Sequence, residues 1–250
     1  MSFDSFELER SLAKRESSFS ASLAWLIATA VLLTGCWEGT TRAVSATILA
    51  TQGSARVKNE SFSELLARPG LALSAGTVLQ TVEAAQVDLA FLPSALTRML
   101  GEGELTIDSL KLSEDGNETG DRILARRGAI SLRAGTLFVV HRRPPGSAGT
   151  FLISTPHGTI VSNSDSLICV ETSSQRLRVV SVRGSVEIVP TSGQKALSVD
   201  AGFLAETTPQ TSTLMEAAGD ADGQQKVTKA ILAERELLAL ARRRQEVLAR

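Results

Sequence analysis

Leu132-Arg133-Ala134-Gly135-Thr136-Leu137-Phe138-Val139-Val140-His141 carries the pattern that governs most of this chain. Successive side chains of an extended strand point to opposite faces, so such a run buries one set and wets the other. Glycine interrupts it where the backbone has to turn a corner or approach a neighbour. The same order returns at Val180-Ser181-Val182-Arg183-Gly184-Ser185-Val186-Glu187-Ile188 and at Leu197-Ser198-Val199-Asp200-Ala201-Gly202-Phe203-Leu204. Near-repeats of this kind imply stacked β-layers around a continuous core. Further alternating runs lie at 86–91 and 176–182, punctuated by Pro69-Gly70, Ala75-Gly76, Ala134-Gly135 and Arg183-Gly184. The predicted fold is therefore mainly β: a layered sandwich or solenoid-like domain of short strands, followed by one C-terminal helix. A βαβ arrangement would need helices between the strands.

With 250 residues, 43% apolar and 21% charged, the chain can bury a core. Its net charge of −1 lacks the basic footprint of a nucleic-acid binder. Aromatics make up 4%, with no Tyr, which speaks against a platform of stacked rings. The two cysteines are unlike each other: Cys36 closes an apolar run, and Cys169 sits within Leu167-Ile168-Cys169-Val170. They form neither a disulfide framework nor a zinc site. Cys169 reads as a small buried hydrophobe.

Residues 1–20 are polar, with Arg10, Lys14 and Arg15 among them, and an uncharged run covers 21–33. That run is short for a transmembrane span of about 20 residues but fits a signal-peptide core of about 7–15. Leu33-Thr34-Gly35-Cys36 follows at once. The tetrapeptide resembles the lipobox of bacterial lipoproteins, where diacylglycerol is transferred to the cysteine sulfur before the signal peptidase cuts. The resemblance implies a signal peptide over 1–35, Leu33, Thr34 and Gly35 as cleavage motif, Cys36 as lipid attachment site, and a tether over 36–45. The alternative is an uncleaved anchor from about Ser20 to Trp37. Either way the remainder leaves the cytoplasm. Trp37 stands where Asp retains such lipoproteins on the inner membrane, so the expected location is the outer membrane, facing the periplasm. An uncleaved anchor would place the protein in the inner membrane.

Ala50-Thr51-Gln52-Gly53-Ser54-Ala55-Arg56-Val57 and Leu73-Ser74-Ala75-Gly76-Thr77-Val78-Leu79-Gln80-Thr81 open the β-region. Phe151-Leu152-Ile153-Ser154-Thr155-Pro156-His157-Gly158 and the strand ending at Ile188 continue it. In that order these stretches resemble the FecR-type periplasmic domain, over 46–208. The family usually follows its Thr-Pro stretch with a Gly-Thr-x-Phe-x-Val strand. Here Asp165-Ser166-Leu167-Ile168-Cys169-Val170 replaces it. The resemblance thus implies that Asp165 occupies a left-handed corner, which Asp tolerates better than most residues. Regulatory members also carry a cytoplasmic helical domain that holds a sigma factor, and residues 1–20 are too short for one.

A polar linker is expected over 209–223, then a charged amphipathic helix over 224–250. The latter segment lacks Gly and Pro and is rich in helix formers. Val227, Ile231, Glu234, Leu238, Ala241, Gln245 and Leu248 share a stripe, and Asp222 reads as the N-cap. Docking on the β-domain, pairing with a partner helix or self-association, and contact of Arg242-Arg243-Arg244 with anionic lipid or murein all remain open. With the helix read as peripheral, a chain ending at Thr208 is expected to unfold cooperatively.

No catalytic constellation is evident. His141 ends a strand, and His157 lies in the Thr-Pro-His-Gly turn. Neither belongs to a metal-binding arrangement, and no nucleophile elbow or phosphate loop occurs. Gly101-Glu102-Gly103-Glu104 and 113–118 read as turns without calcium-loop spacing. No catalytic residue, metal ligand or cofactor is assigned, and the ligand-binding residues stay open. The leading expectation is a non-enzymatic, lipid-anchored interaction module of the bacterial envelope, with the membrane and an envelope protein or polymer as partners. The alternatives are a membrane-anchored FecR-type regulator and a structural envelope protein.

Overall fold

A computed structural model describes residues 40–60, 62–92, 94–114 and 123–248. Leu33, Thr34, Gly35 and Cys36 lie outside them. Among the described residues the fold is mainly β, with a single long helix, α1 (Ala221–Leu248).

Two strands organise the molecule. These are β8 (Ala95–Glu114) and β9 (Ile123–His141), paired antiparallel along their length. They are far longer than the usual five or six residues because both bend at one corner. The register shifts between Leu100 and Glu104, opposite Ala134 and Gly135. A methyl group on Gly103 would lie 2.5 Å from the Ala134 carbonyl oxygen, and Gly135 has φ 113°. The corner is accordingly built from glycine. Gly101 to Glu104, expected as a turn, runs inside β8 at this bend.

On one side of the corner, the first part of β8 and the last part of β9 form the centre of a first layer. Outward from β8 come β7 (Gln86–Leu92), β2 (Ala46–Gln52) and β5 (Ala72–Leu73). Outward from β9 come β12 (Ser166–Thr172), β13 (Leu177–Arg183), β16 (Phe203–Thr207) and β17 (Ser212–Glu216). On the other side, β8 is flanked by β6 (Val78–Thr81), β3 (Ala55–Asn59) and β4 (Phe62–Leu66), with β1 (Thr41–Ala43) near its end. There β9 is flanked by β10 (Ala148–Thr155), β11 (Gly158–Ser162), β14 (Val186–Pro190) and β15 (Leu197–Val199). The β9–β10 pair is parallel and makes the sheet mixed.

The core explains the layering. Ile48, Val87, Met99, Leu137, Ile168 and Val179 of the first layer share one buried cluster with Leu105, Ile130, Phe151, Ile160 and Ile188 of the second. Alternate residues of the first layer, Leu96, Phe138, Val140, Leu167, Cys169, Val180 and Leu204, point the other way. They pack against Ala230, Ala233 and Leu237 of α1. The first layer is thus buried on both faces, which makes Leu137–His141, Ser166–Val170 and Leu177–Ser181 continuously buried. Second-layer strands with one wet face alternate instead, as β14 does.

Four expectations change. The stretch 209–220 holds β17 and a 3-10 turn (Ala217–Gly219), and the helix starts at Ala221 instead of Gln224. The buried stripe of α1 is Gly223, Lys226, Ala230, Ala233 and Leu237, and Ile231 is exposed. Asp165 is not left-handed, because every positive-φ residue described is glycine. The helix is also an integral layer. A chain ending at Thr208 would uncover seven apolar side chains worth about 1.5–3 kcal/mol each, comparable with a whole domain's stability of about 5–15 kcal/mol.

Candidate functional site

The helix is fixed to the sheet by charge as well as by alanine packing. Its N-cap is Asp220, not Asp222: the Gly223 amide donates to Oδ2 of Asp220 at 2.9 Å. Arg178 of β13 reaches Asp220 at 2.6 Å and also pairs with Asp222 and Glu206. Lys226 lies between Asp222 at 2.7 Å and Glu171 of β12. Arg183 donates to Glu234 at 2.7 Å, and Arg142 approaches the same carboxylate at 3.4 Å. Hydrogen bonds from these cations hold Asp220, Asp222 and Glu234 below the ordinary carboxylate range.

Deeper under the helix, Arg98 of β8 forms a bidentate pair with Asp88 of β7, at 2.7 and 2.9 Å. Its third contact is Glu236 at 2.5 Å. Burial works against the Arg98 charge, but its hydrogen bonds to Asp88 and Glu236 outweigh that and raise its pKa. Sequence reasoning missed both Arg98 and Asp88. The available signal was a charge in the middle of two apolar strands, Val87-Asp88-Leu89 and Thr97-Arg98-Met99.

Both histidines are structural in their surroundings. Nδ1 of His141 lies 2.8 Å from Oγ of Ser162, which contacts Oγ of Ser166 at 2.8 Å. Burial lowers the His141 pKa. All three residues are buried, and no described cavity reaches them. His157 donates from Nε2 to the Ser173 carbonyl at 3.0 Å. Its turn is held by Thr155, whose Oγ1 accepts from the Gly158 amide at 3.2 Å. Cys169 is buried beneath α1, which pushes its thiol up to about 12. Among the described residues no three His, Cys, Asp or Glu side chains converge as metal ligands.

Several recesses open among the described residues, two of them lined by charged side chains at the β8–β9 corner and beside α1. A polar cleft of about 660 Å³ sits at the β8–β9 corner, lined by Gln80, Glu102, Glu104, Arg133, Glu171 and Ser173 among others. Gln80 donates to Glu104 at 2.8 Å, and Arg133 approaches it at 3.4 Å. The second, of about 470 Å³, lies between the C-terminal half of α1 and the start of the β-region. Phe91, Leu92, Leu96 and Leu238 contribute apolar surface, and Arg142, Arg242 and Arg244 line it too. Among the described residues its lining contains no acidic side chain.

The described residues contain no helix long and apolar enough to cross a membrane. No protein-family model matches the chain, and no curated protein matches it in sequence. Two crystal structures of a "putative anti-sigma factor from Parabacteroides distasonis ATCC 8503" are similar at TM-scores of 0.40 and 0.39 and identities of 10% and 11%. In both, the match covers 56% of this chain and 58% of the other, so this chain spans less than two thirds of those proteins. Likeness of that degree carries no argument about what this chain does.

Proposed function

We propose that this protein is a lipid-anchored, non-enzymatic interaction module of the bacterial envelope, with a FecR-like β-domain held outside the cytoplasm by acylated Cys36. The observation that carries the reading is Leu33-Thr34-Gly35-Cys36 placed directly after an uncharged run of signal-peptide length. The architecture is compatible with it, since β1 begins at Thr41, five residues beyond the cysteine. A short tether would therefore hold the layered domain close to the bilayer. The β17 edge opposite β16 has no strand partner among the described residues, and Leu214 and Met215 on that strand are exposed. Such an edge can accept a strand from an envelope partner through main-chain hydrogen bonds.

Replacing the thiol tests the anchor. In cells fed labelled palmitate, the wild-type chain should take up label and lose its N-terminal segment. Cys36→Ala should remain a heavier, unlabelled precursor. Normal processing of that variant would overturn the lipid anchor, whereas a wild-type chain that stays uncleaved and unlabelled would leave the inner-membrane regulator as the better reading.

A further inference from the structure

We propose that the groove beside the C-terminal half of α1 seats an acidic phospholipid of the membrane surface, with its phosphate held by Arg142, Arg242 and Arg244. The floor is apolar: Phe91, Leu92 and Leu96 are at most 7% exposed, and Leu238 of α1 closes the side. The three arginines share the recess with no carboxylate among the described residues of its lining. Arg142 has a counter-charge in Glu234, whereas Arg242 and Arg244 have no acidic partner among the described residues. The local charge therefore runs against a chain whose net charge is −1.

An apolar recess rimmed by Arg142 and by two arginines without an acidic partner among the described residues is complementary to an anionic amphiphile. A nucleic acid or a phosphorylated peptide would leave the apolar floor unfilled. A neutral lipid would leave the arginines without a counter-ion. Basic side chains near an anionic bilayer each add to the attraction.

Placement points the same way. Val44 and Ser45, directly after β1, line the groove. Cys36 lies five residues before β1, a reach of about 17 Å when extended. A lipid on that cysteine would keep the groove within one short tether of the bilayer. This orientation rests on the anchoring proposed above; the chemistry of the groove does not.

The test uses the full-length chain carrying Cys36→Ala, in non-ionic detergent, with bound lipid counted by native mass spectrometry. The probes are dioctanoyl phosphatidylglycerol, dioctanoyl phosphatidylcholine and glycerol 3-phosphate. Phosphatidylglycerol should bind roughly tenfold more tightly than phosphatidylcholine, and glycerol 3-phosphate should not compete. Arg242→Gln with Arg244→Gln should abolish the preference, and Arg243→Gln, outside the lining, should keep it. Equal binding of the two lipids overturns the proposal, as does an equal loss in Arg243→Gln. Effective competition by glycerol 3-phosphate would also overturn it, by showing a phosphate site that ignores the apolar floor. Because this chain cannot be acylated at Cys36, a negative result leaves the anchor reading standing, and a failed palmitate experiment leaves the groove standing.

Discussion

Gly184 is the residue on which the corner between β13 and β14 turns. Its φ is 77°, and a methyl group there would lie 2.0 Å from the Asp165 carbonyl oxygen. The strain that sequence comparison assigned to Asp165 therefore belongs to the glycine across from it. Asp165 itself accepts a hydrogen bond from the Arg143 amide at 2.6 Å, in ordinary backbone geometry. Alanine at 184 meets both a left-handed backbone and a clash with main chain. Gly184→Ala should cost about 2–4 kcal/mol in chemical denaturation. Asp165→Ala loses one exposed hydrogen bond and should cost about 1 kcal/mol. Equal costs would mean that Gly184 is not the constrained position. The sequence marks corners at both Asp165 and Gly184, and the structure shows that the two face each other and that the glycine alone of the pair is left-handed.

At the scale of elements, α1 is held by contacts of two kinds with different sensitivities. Ala230 and Ala233 allow close approach to the sheet, and their burial is indifferent to pH. The paired carboxylates are not. Their pairing holds Asp220, Asp222 and Glu234 below the pKa of the free side chains, so the unfolded chain takes up their protons first. Their stabilising contribution is complete above about pH 4.5 and is lost as pH falls through the depressed values. Exposure screens these pairs, and each contributes modestly. Acting on one helix, they should nevertheless loosen it before the β-layers unfold. Cys169 reports this because α1 covers it. In the Cys36→Ala chain, its labelling by an acid-active thiol reagent should be slow at pH 7 and accelerate below about pH 4, while the strand signal in circular dichroism persists. Unchanged labelling down to pH 3.5 would show that the ion pairs do not hold the helix. The helix itself was legible from composition, but its buried face was not. A search for large apolar residues selects Ile231, which is exposed, and passes over the alanines and Lys226 that are buried.

For the whole molecule, the strand pattern showed the class of fold because alternation survives wherever a layer has one wet face. It could not show that the first layer is covered twice, since continuous apolar runs such as Leu137–Val140 read equally well as helix or strand interior. Nor could it show that β8 and β9 pass unbroken through their corner, where Gly101 and Gly103 look like punctuation. The three glycines of the near-repeats, Gly135, Gly184 and Gly202, do adopt positive φ, as their spacing implied. The arginine groove was only half visible. Arg242 and Arg244 stood out as a cluster, but Arg142 and the apolar floor reach them only through packing of distant segments.

The functional account depends on where the mature chain begins and what its first residue carries. Mass spectrometry of the N-terminal peptide, from protein extracted out of cell membranes, reads both together. The expected peptide starts at Cys36 with diacylglycerol on its sulfur and no trace of Leu33-Thr34-Gly35. A peptide that runs unmodified through Leu33-Thr34-Gly35-Cys36 would contradict it.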